Sequence, residues 1–270
     1  MDNRPIGVFD SGLGGLTAVK ALKKLLPHED IVYFGDTGRV PYGSRSKETL
    51  MRFTRQNLAF LRTHDVKCVI VACGTVSSVV LPSLREELPV VGVIEPSVKK
   101  AAALSQNRKI GALATTAAIR GGSYQAALRR AAPDAEVTAT DAPLLVPIVE
   151  NGRTALGDIV AETLVAEYLA PHRAAGVDTL LLGCTHYPLL RDIVQQVMGD
   201  GVNLVDVGAE AAGEMAELLA ARGIGAAPER TGNAAFYVSD DADGFAQNAS
   251  LFLGERVDGC VFLVDSGAFL

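Results

Sequence analysis

Val69-Ile70-Val71-Ala72-Cys73-Gly74-Thr75 and Leu180-Leu181-Leu182-Gly183-Cys184-Thr185-His186 are two copies of one pattern. In each, a short apolar run ends on a cysteine and passes into a polar segment. Such a run, bounded by turn residues, reads as a strand buried on both faces. Strands of that kind belong to parallel sheets covered by helices, and open α/β sheets present reactive groups at the carboxyl ends of their strands. Each thiol is therefore expected where a buried strand turns into a helix. Two thiols so placed suit two bases that face each other across a substrate.

The same alternation runs outward through the 270 residues. Strands are expected at Ile6–Phe9, Ile31–Phe34, Cys68–Ala72, Val90–Val93, Ile110–Ala114, Glu136–Thr140, Thr179–Leu182, Asn203–Val205, Ala235–Val238 and Gly259–Leu263. Amphipathic stretches between them predict helices at Leu16–Leu26, Lys47–Thr63, Ser77–Glu87, Pro96–Leu104, Gly122–Ala132, Gly157–Ala175, Leu189–Met198, Glu210–Arg222 and Ala242–Leu253. Ala18, Leu22, Leu25 and Leu26 show the 3.6-residue period that a helix needs to bury one face. The fold class is α/β with largely parallel sheets. The two cysteine segments stand 111 residues apart, which hints at two similar halves with a break near Glu95-Pro96.

Composition narrows the partners. A formal charge of −6, no Trp and 6% aromatic residues leave no basic or stacking surface for nucleic acid. No stretch approaches the roughly 18 apolar residues that span a bilayer, and no signal-peptide region precedes the first strand, so a soluble cytoplasmic protein is expected. Four cysteines make no disulfide framework, and no second Cys or His pair joins Cys68 and Cys73 in a zinc site. A small-molecule partner without a metal is the expectation.

Five segments carry chemistry. Asp10-Ser11-Gly12-Leu13-Gly14-Gly15 follows the first strand and opens a helix. Its glycines let backbone approach a ligand, although Asp10 could equally be a structural cap. Asp36 to Arg45 is a long polar loop in which Tyr42 and the Gly43 amide could bind a carboxylate, against the plain alternative of a surface loop. Cys73-Gly74-Thr75 sits at an expected helix start, a setting that lowers a thiol pKa. Cys68 and Cys260 lie within apolar strands and read as small buried hydrophobes. Cys184-Thr185-His186 sets an imidazole, the side chain suited to proton transfer near neutral pH, two residues from a thiol. Glu150 ends an apolar run and could line a cleft or cap the following helix.

Together these segments resemble the glutamate racemases, within the cofactor-independent aspartate/glutamate racemase superfamily. The resemblance is carried by Gly7 to Gly15, Tyr33 to Thr37, Pro41-Tyr42-Gly43, Val71-Ala72-Cys73 with Thr75, and Leu182 to Pro188. It implies two pseudo-symmetric α/β domains with the active site at their interface, and a homodimer. The expected domains are residues 1–96 plus 208–270, and residues 97–207. It implies Cys73 and Cys184 as catalytic acid/bases, with Asp10 and His186 assisting. Asp10, Ser11, Pro41, Tyr42, Gly43, Gly74, Thr75, Thr115, Thr185 and His186 become contacts of an acidic amino acid, with Glu150 as an auxiliary group. The implied role is supply of D-glutamate for peptidoglycan, without a cofactor. Two positions depart from the family pattern: Gly74 where an Asn is usual, and Ala118 where a Thr is usual.

The chemistry suits thiols. Racemisation takes the α-proton from one face and returns one to the other, so two bases avoid moving a single base around the carbanion. Without an electron sink, donors in a closed cleft must stabilise that carbanion. The competing readings are an aspartate racemase of the same superfamily, an amide hydrolase with Cys73 as nucleophile and His186 as base, and a non-catalytic regulator that keeps the fold.

Overall fold

The computed structural model describes residues 1–257 and 259–264. The elements run β1 (Ile6–Asp10), α1 (Leu16–Leu25), β2 (Ile31–Gly35), α2 (Lys47–Thr63), β3 (Cys68–Val71), α3 (Gly74–Val79), β4 (Val90–Gly92), α4 (Ile94–Leu104) and β5 (Lys109–Ala114). They continue with α5 (Thr116–Arg120), α6 (Ser123–Ala131), β6 (Glu136–Asp141), α7 (Leu145–Glu150), α8 (Ile159–Ala175), β7 (Thr179–Leu182) and α9 (Arg191–Met198). The last are β8 (Asn203–Asp206), α10 (Val207–Arg222), β9 (Ala234–Val238), α11 (Ala242–Leu253) and β10 (Val261–Leu263).

Two sheets result, ordered β10-β9-β2-β1-β3-β4 and β6-β5-β7-β8. Neighbouring strands in both sheets run parallel. The order β2-β1-β3-β4 recurs as β6-β5-β7-β8, with β3 and β7, the strands that lead to the two cysteines, in equivalent places. All the predicted strands form, and the α/β expectation holds.

Strand period explains the layers. Ile6, Val8, Tyr33, Cys68 and Ile70 face one side of the first sheet, and Phe9, Val32, Phe34, Val69 and Val71 the other. The second set packs on Leu50, Leu58 and Leu61 of α2. The first set joins one continuous core that takes in Leu180, Leu181 and Leu182 of β7 and Ala211 and Met215 of α10. The two sheets therefore share buried apolar surface, the dominant favourable contribution to folding. Asp206 caps α10 by accepting from the Gly208 and Ala209 amides, and Gly208 lets that helix approach α1, since a Cβ there would lie 3.1 Å from the Ala18 nitrogen.

The structure corrects several local expectations. The predicted helix Ser77–Glu87 is instead α3, which starts three residues earlier and stops at Val79, followed by a 3-10 turn at Leu81–Ser83. Pro82 has no N–H to continue the helix. Helices α5 and α7 were not anticipated. Pro147 in α7 reads as a breaker, but it stands in the first turn, where an N–H has no helical partner anyway. Cys260 precedes β10 and is exposed rather than buried in a strand.

His172 in α8 is fully buried, and neither ring nitrogen has a partner among the described residues. A Cβ on Gly111 of β5 would lie 2.6 Å from His172 Nδ1, so strand backbone lies directly beside the ring. Burial lowers the imidazole pKa to about 4, whereas in the unfolded chain it stays near 6.5. The neutral ring thus contributes stability that is whole above pH 6.5 and is lost as pH falls toward 4. Urea unfolding should show a loss on the order of 3 kcal/mol from this group across that window. His172→Leu should remove that part of the loss. Equal acid sensitivity in variant and wild type would place the source elsewhere.

Candidate active site

Six strand ends build one cleft of about 520 Å³. Asp10 is the last residue of β1, and Cys73 stands two residues beyond β3. Thr115 follows β5, Ala142 follows β6, and Cys184 stands two residues beyond β7. The loop after β2 supplies Pro41, Tyr42 and Gly43. Asp10, Ser11, Cys73, Gly74 and Thr75 line the side formed by the first sheet. Thr115, Glu150, Cys184, Thr185 and His186 line the other. Every site residue expected from sequence borders this space, and both thiols open onto it.

The first thiol meets the turn that follows β1. Cys73 is the residue before α3, its side chain makes no cap hydrogen bond there, and its Sγ donates to Ser11 Oγ at 3.7 Å. Burial pushes this thiol up to about 12, and the neighbouring Asp10 carboxylate adds to the rise. The Val76 and Thr75 amides and the Ser11 hydroxyl pull the other way by less. The helix-start effect expected from sequence is therefore outweighed by desolvation, and Cys73 rests as a thiol. Asp10 is itself pushed up by burial, opposed by His186 and by the amides of Gly12, Gly15 and Ser11. Its Oδ2 accepts from Gly12 N at 2.9 Å, so it shapes the turn, while Gly15 occupies the cap position of α1.

The second thiol has a cationic neighbour. Cys184 Sγ lies 3.7 Å from His186 Nδ1, and His186 Nε2 lies 2.9 Å from Glu150 Oε1. Burial disfavours a charged imidazole, yet hydrogen bonds to Cys184 and Glu150, and the charges of Cys184 and Asp10, more than offset it. His186 is raised well above the ordinary histidine range and carries both ring protons at neutral pH. Glu150 ends α7 and faces the cleft, while Asp158 caps the following helix α8. The capping alternative for Glu150 is thereby excluded.

Two polar groups behave differently from one another. Thr115 Oγ1 is buried with no hydrogen-bond partner among the described residues, and the residue borders the cleft. The Tyr42 hydroxyl donates to the buried Asp36 carboxylate, so this residue offers the cleft its ring and backbone rather than its phenol. Ala142, Pro143, Val146 and Pro147 also line the cleft and were missed. Their apolar side chains give no chemical signal, although their place at the end of β6 does. Ala118 is buried and does not border the cleft, so the hydroxyl it lacks is not taken from this wall. A wider groove of about 840 Å³, lined by residues such as Leu81, Glu95, Lys99 and Arg130, contains neither thiol. Among the described residues no three His, Cys, Asp or Glu cluster to hold a metal ion, and no helix is long and apolar enough to cross a membrane.

The family model for Asp/Glu/Hydantoin racemase matches residues 16–215. The chain belongs to this racemase family. A glutamate racemase from Geobacter metallireducens is 43% identical over 256 residues, covering 94% of either chain. The solved structure of a glutamate racemase isoform from Bacillus anthracis aligns with a TM-score of 0.91 at 33% identity over 98% of both chains. A glutamate racemase from Francisella tularensis, solved in complex with D-glutamate, aligns at 0.88 with 34% identity, over 98% of this chain and 100% of that one.

The electrostatics of this racemase make a reactivity prediction. With Cys73 held up to about 12, its thiolate fraction grows about tenfold per pH unit below that value. In a Cys184→Ser, Cys68→Ser, Cys260→Ser protein, alkylation by iodoacetamide should rise in that proportion from pH 7 to pH 10. A plateau near pH 8.5 would show that the thiol is not raised.

Proposed function

We propose that this protein interconverts L-glutamate and D-glutamate, using Cys73 and Cys184 as paired acid/bases and no cofactor. The observation that carries this is the placement of both buried thiols on the walls of a single cleft, one from each sheet. One thiolate takes the α-proton and becomes a thiol. The opposite thiol gives its proton to the other face of the carbanion and becomes a thiolate. The two sulfurs thus exchange states in each turnover. Asp10 and His186 stand beside their respective thiols and hold or supply the proton and charge that this exchange requires. Glu150 braces His186 as the auxiliary group. Ser11, Gly74, Thr75, Thr115 and Thr185 offer donors to the α-carboxylate, and Pro41-Tyr42-Gly43 forms the wall for the second carboxylate. Such donors stabilise the carbanion most where water is excluded.

The solved relative with D-glutamate supports this substrate. The amide-hydrolase reading is disfavoured, because Cys184 and Glu150 engage the two ring nitrogens of His186 and leave none to serve Cys73. The separate membership of the two sheets supports a division into residues 1–96 plus 208–270 and residues 97–207, with the first boundary falling inside α4. Supply of D-glutamate for peptidoglycan in the cytoplasm, by a homodimer, goes with the family resemblance.

Incubation with L- or D-glutamate in deuterated water, without cofactor, should give loss of optical rotation together with α-deuterium. Aspartate at the same concentration should react far more slowly. Cys73→Ala and Cys184→Ala should each lower racemisation by about 10²–10⁴-fold or more. Near-normal racemisation by either variant would sink the two-thiol scheme, and preference for aspartate would sink the substrate.

A further inference from the structure

The loop between β2 and α2 borders the cleft through Val40, Pro41, Tyr42, Gly43 and Ser44. Among the described residues, the side-chain hydrogen bonds that hold this stretch are those of Tyr42. They lead into a closed polar cycle behind the wall. Asp36, fully buried, accepts from Arg39 Nε at 2.8 and 2.7 Å, from Ser239 Oγ at 2.9 Å, and from the Tyr42 hydroxyl. Arg39 Nη2 donates to Asn57 Oδ1 at 2.8 Å, and Asn57 Nδ2 donates back to the Tyr42 hydroxyl at 3.2 Å. The Arg39 guanidinium also lies 4.2 Å above the Phe53 ring, which packs on Tyr42 at a centroid distance of 5.5 Å.

This cycle contains none of the groups that would move a proton. It is nevertheless built at a cost, since a buried carboxylate is tolerated only when its oxygens are satisfied. Among the described residues, the member of the cycle that borders the cleft is Tyr42, which begins the 3-10 turn Tyr42–Ser44. The Tyr42 phenol is 2% exposed and both engaged with Asp36 and accepting from Asn57, so it is not free to bind a ligand. What it does instead is fix the backbone at Tyr42 and Gly43.

We propose that Asp36, Arg39 and Asn57 are positioning residues for the substrate. Through the Tyr42 hydroxyl they hold the Pro41-Tyr42-Gly43-Ser44 backbone where it receives the second carboxylate of glutamate. The proposal rests on the functional reading above and adds to it the group that sets affinity for the substrate's far end. The thiols lie on other strand ends, so the cycle acts on binding and leaves proton transfer alone. Losing it removes binding common to ground and transition states, which raises KM and spares kcat.

The test is steady-state racemisation in both directions by Tyr42→Phe, Asp36→Ala and Asp36→Asn proteins, with thermal melting of each. Tyr42→Phe and Asp36→Ala should raise KM for glutamate about tenfold or more, the loss expected for a hydrogen bond to a charged group, with kcat close to wild type. Asp36→Asn, which keeps an acceptor for the phenol, should recover part of that loss. A merely structural role would lower the melting temperature and the active fraction, and so kcat, without a KM change. If Asp36→Ala does not fold, Tyr42→Phe, which keeps the packed ring, decides the matter. A folded Tyr42→Phe protein with unchanged KM, or with kcat reduced and KM intact, overturns the proposal while an active wild type leaves the functional reading standing. Inactive wild-type protein overturns both.

Discussion

The two sheets come within backbone contact at Gly74 and Gly183, and the site depends on that approach. A Cβ on Gly74 would lie 3.1 Å from the Gly183 carbonyl oxygen. A Cβ on Gly183 would lie 2.8 Å from Ala114 Cβ and 2.9 Å from the Leu113 oxygen. Those distances leave room for hydrogen at Gly183 and little more at Gly74. Cys73 precedes the first glycine and Cys184 follows the second, so each cysteine is one peptide, about 3.8 Å of chain, from the point of contact. At Gly74 the missing side chain lets the two halves meet, whereas at Gly183 it lets the end of β7 lie against β5 of its own sheet. A residue larger than Gly74 would need the Gly183 carbonyl to give way by a few tenths of an ångström. That carbonyl is already engaged, since it accepts from the Tyr124 hydroxyl at 3.0 Å.

A second crossing secures the imidazole. Thr17 Oγ1 in α1 donates to the Thr185 carbonyl at 3.1 Å. Gly14 passes so close to this turn that a Cβ there would lie 2.5 Å from His186 Nδ1. Phe252 of α11 meets the His186 ring edge-on, with centroids 5.3 Å apart. Elements of the first half therefore orient a histidine of the second. This is one reason why the halves function as a unit. The shared core of α1, α10 and β7 supplies the cohesion, and these polar and backbone contacts supply the alignment.

Much of this was legible from residue order. Strands such as Ile6–Asp10 and Thr179–Leu182 are apolar at nearly every position because both faces are buried, and that leaves a plain mark. The candidate site residues were legible because they stand at strand ends, where side-chain chemistry and turn glycines coincide. Helices α3, α5 and α7 were misread or missed because five or six residues show no period, and Gly74 and Pro147 disguise two of them. The rise in the Cys73 pKa was illegible for a different reason. The helix start is a local feature, whereas the burial that overrides it comes from residues distant in the chain. The hidden engagement of Tyr42 is of the same kind, since Asn57 and Ser239 reach the loop from α2 and from the end of β9.

The repeated strand order bears on why a racemase would have this architecture. Enantiomers have equal free energies in water, so a racemase must serve a reaction that runs equally well either way. Removal of the α-proton on one face and its return on the other are the same step in opposite directions. Two copies of one strand-to-turn motif, β3 with Cys73 and β7 with Cys184, deliver the same functional group from both sides of a cleft. Two like acids in one site already resist double ionisation, and here their surroundings differ as well. The structure breaks the likeness at the partners. Cys73 is buried and lies near Asp10, which favours its protonated form against a smaller pull from the Ser11 hydroxyl. Cys184 meets a charged imidazole braced by Glu150. Shared topology thus sets the two cysteines on facing walls of one cleft, and unlike neighbours give each its own surroundings.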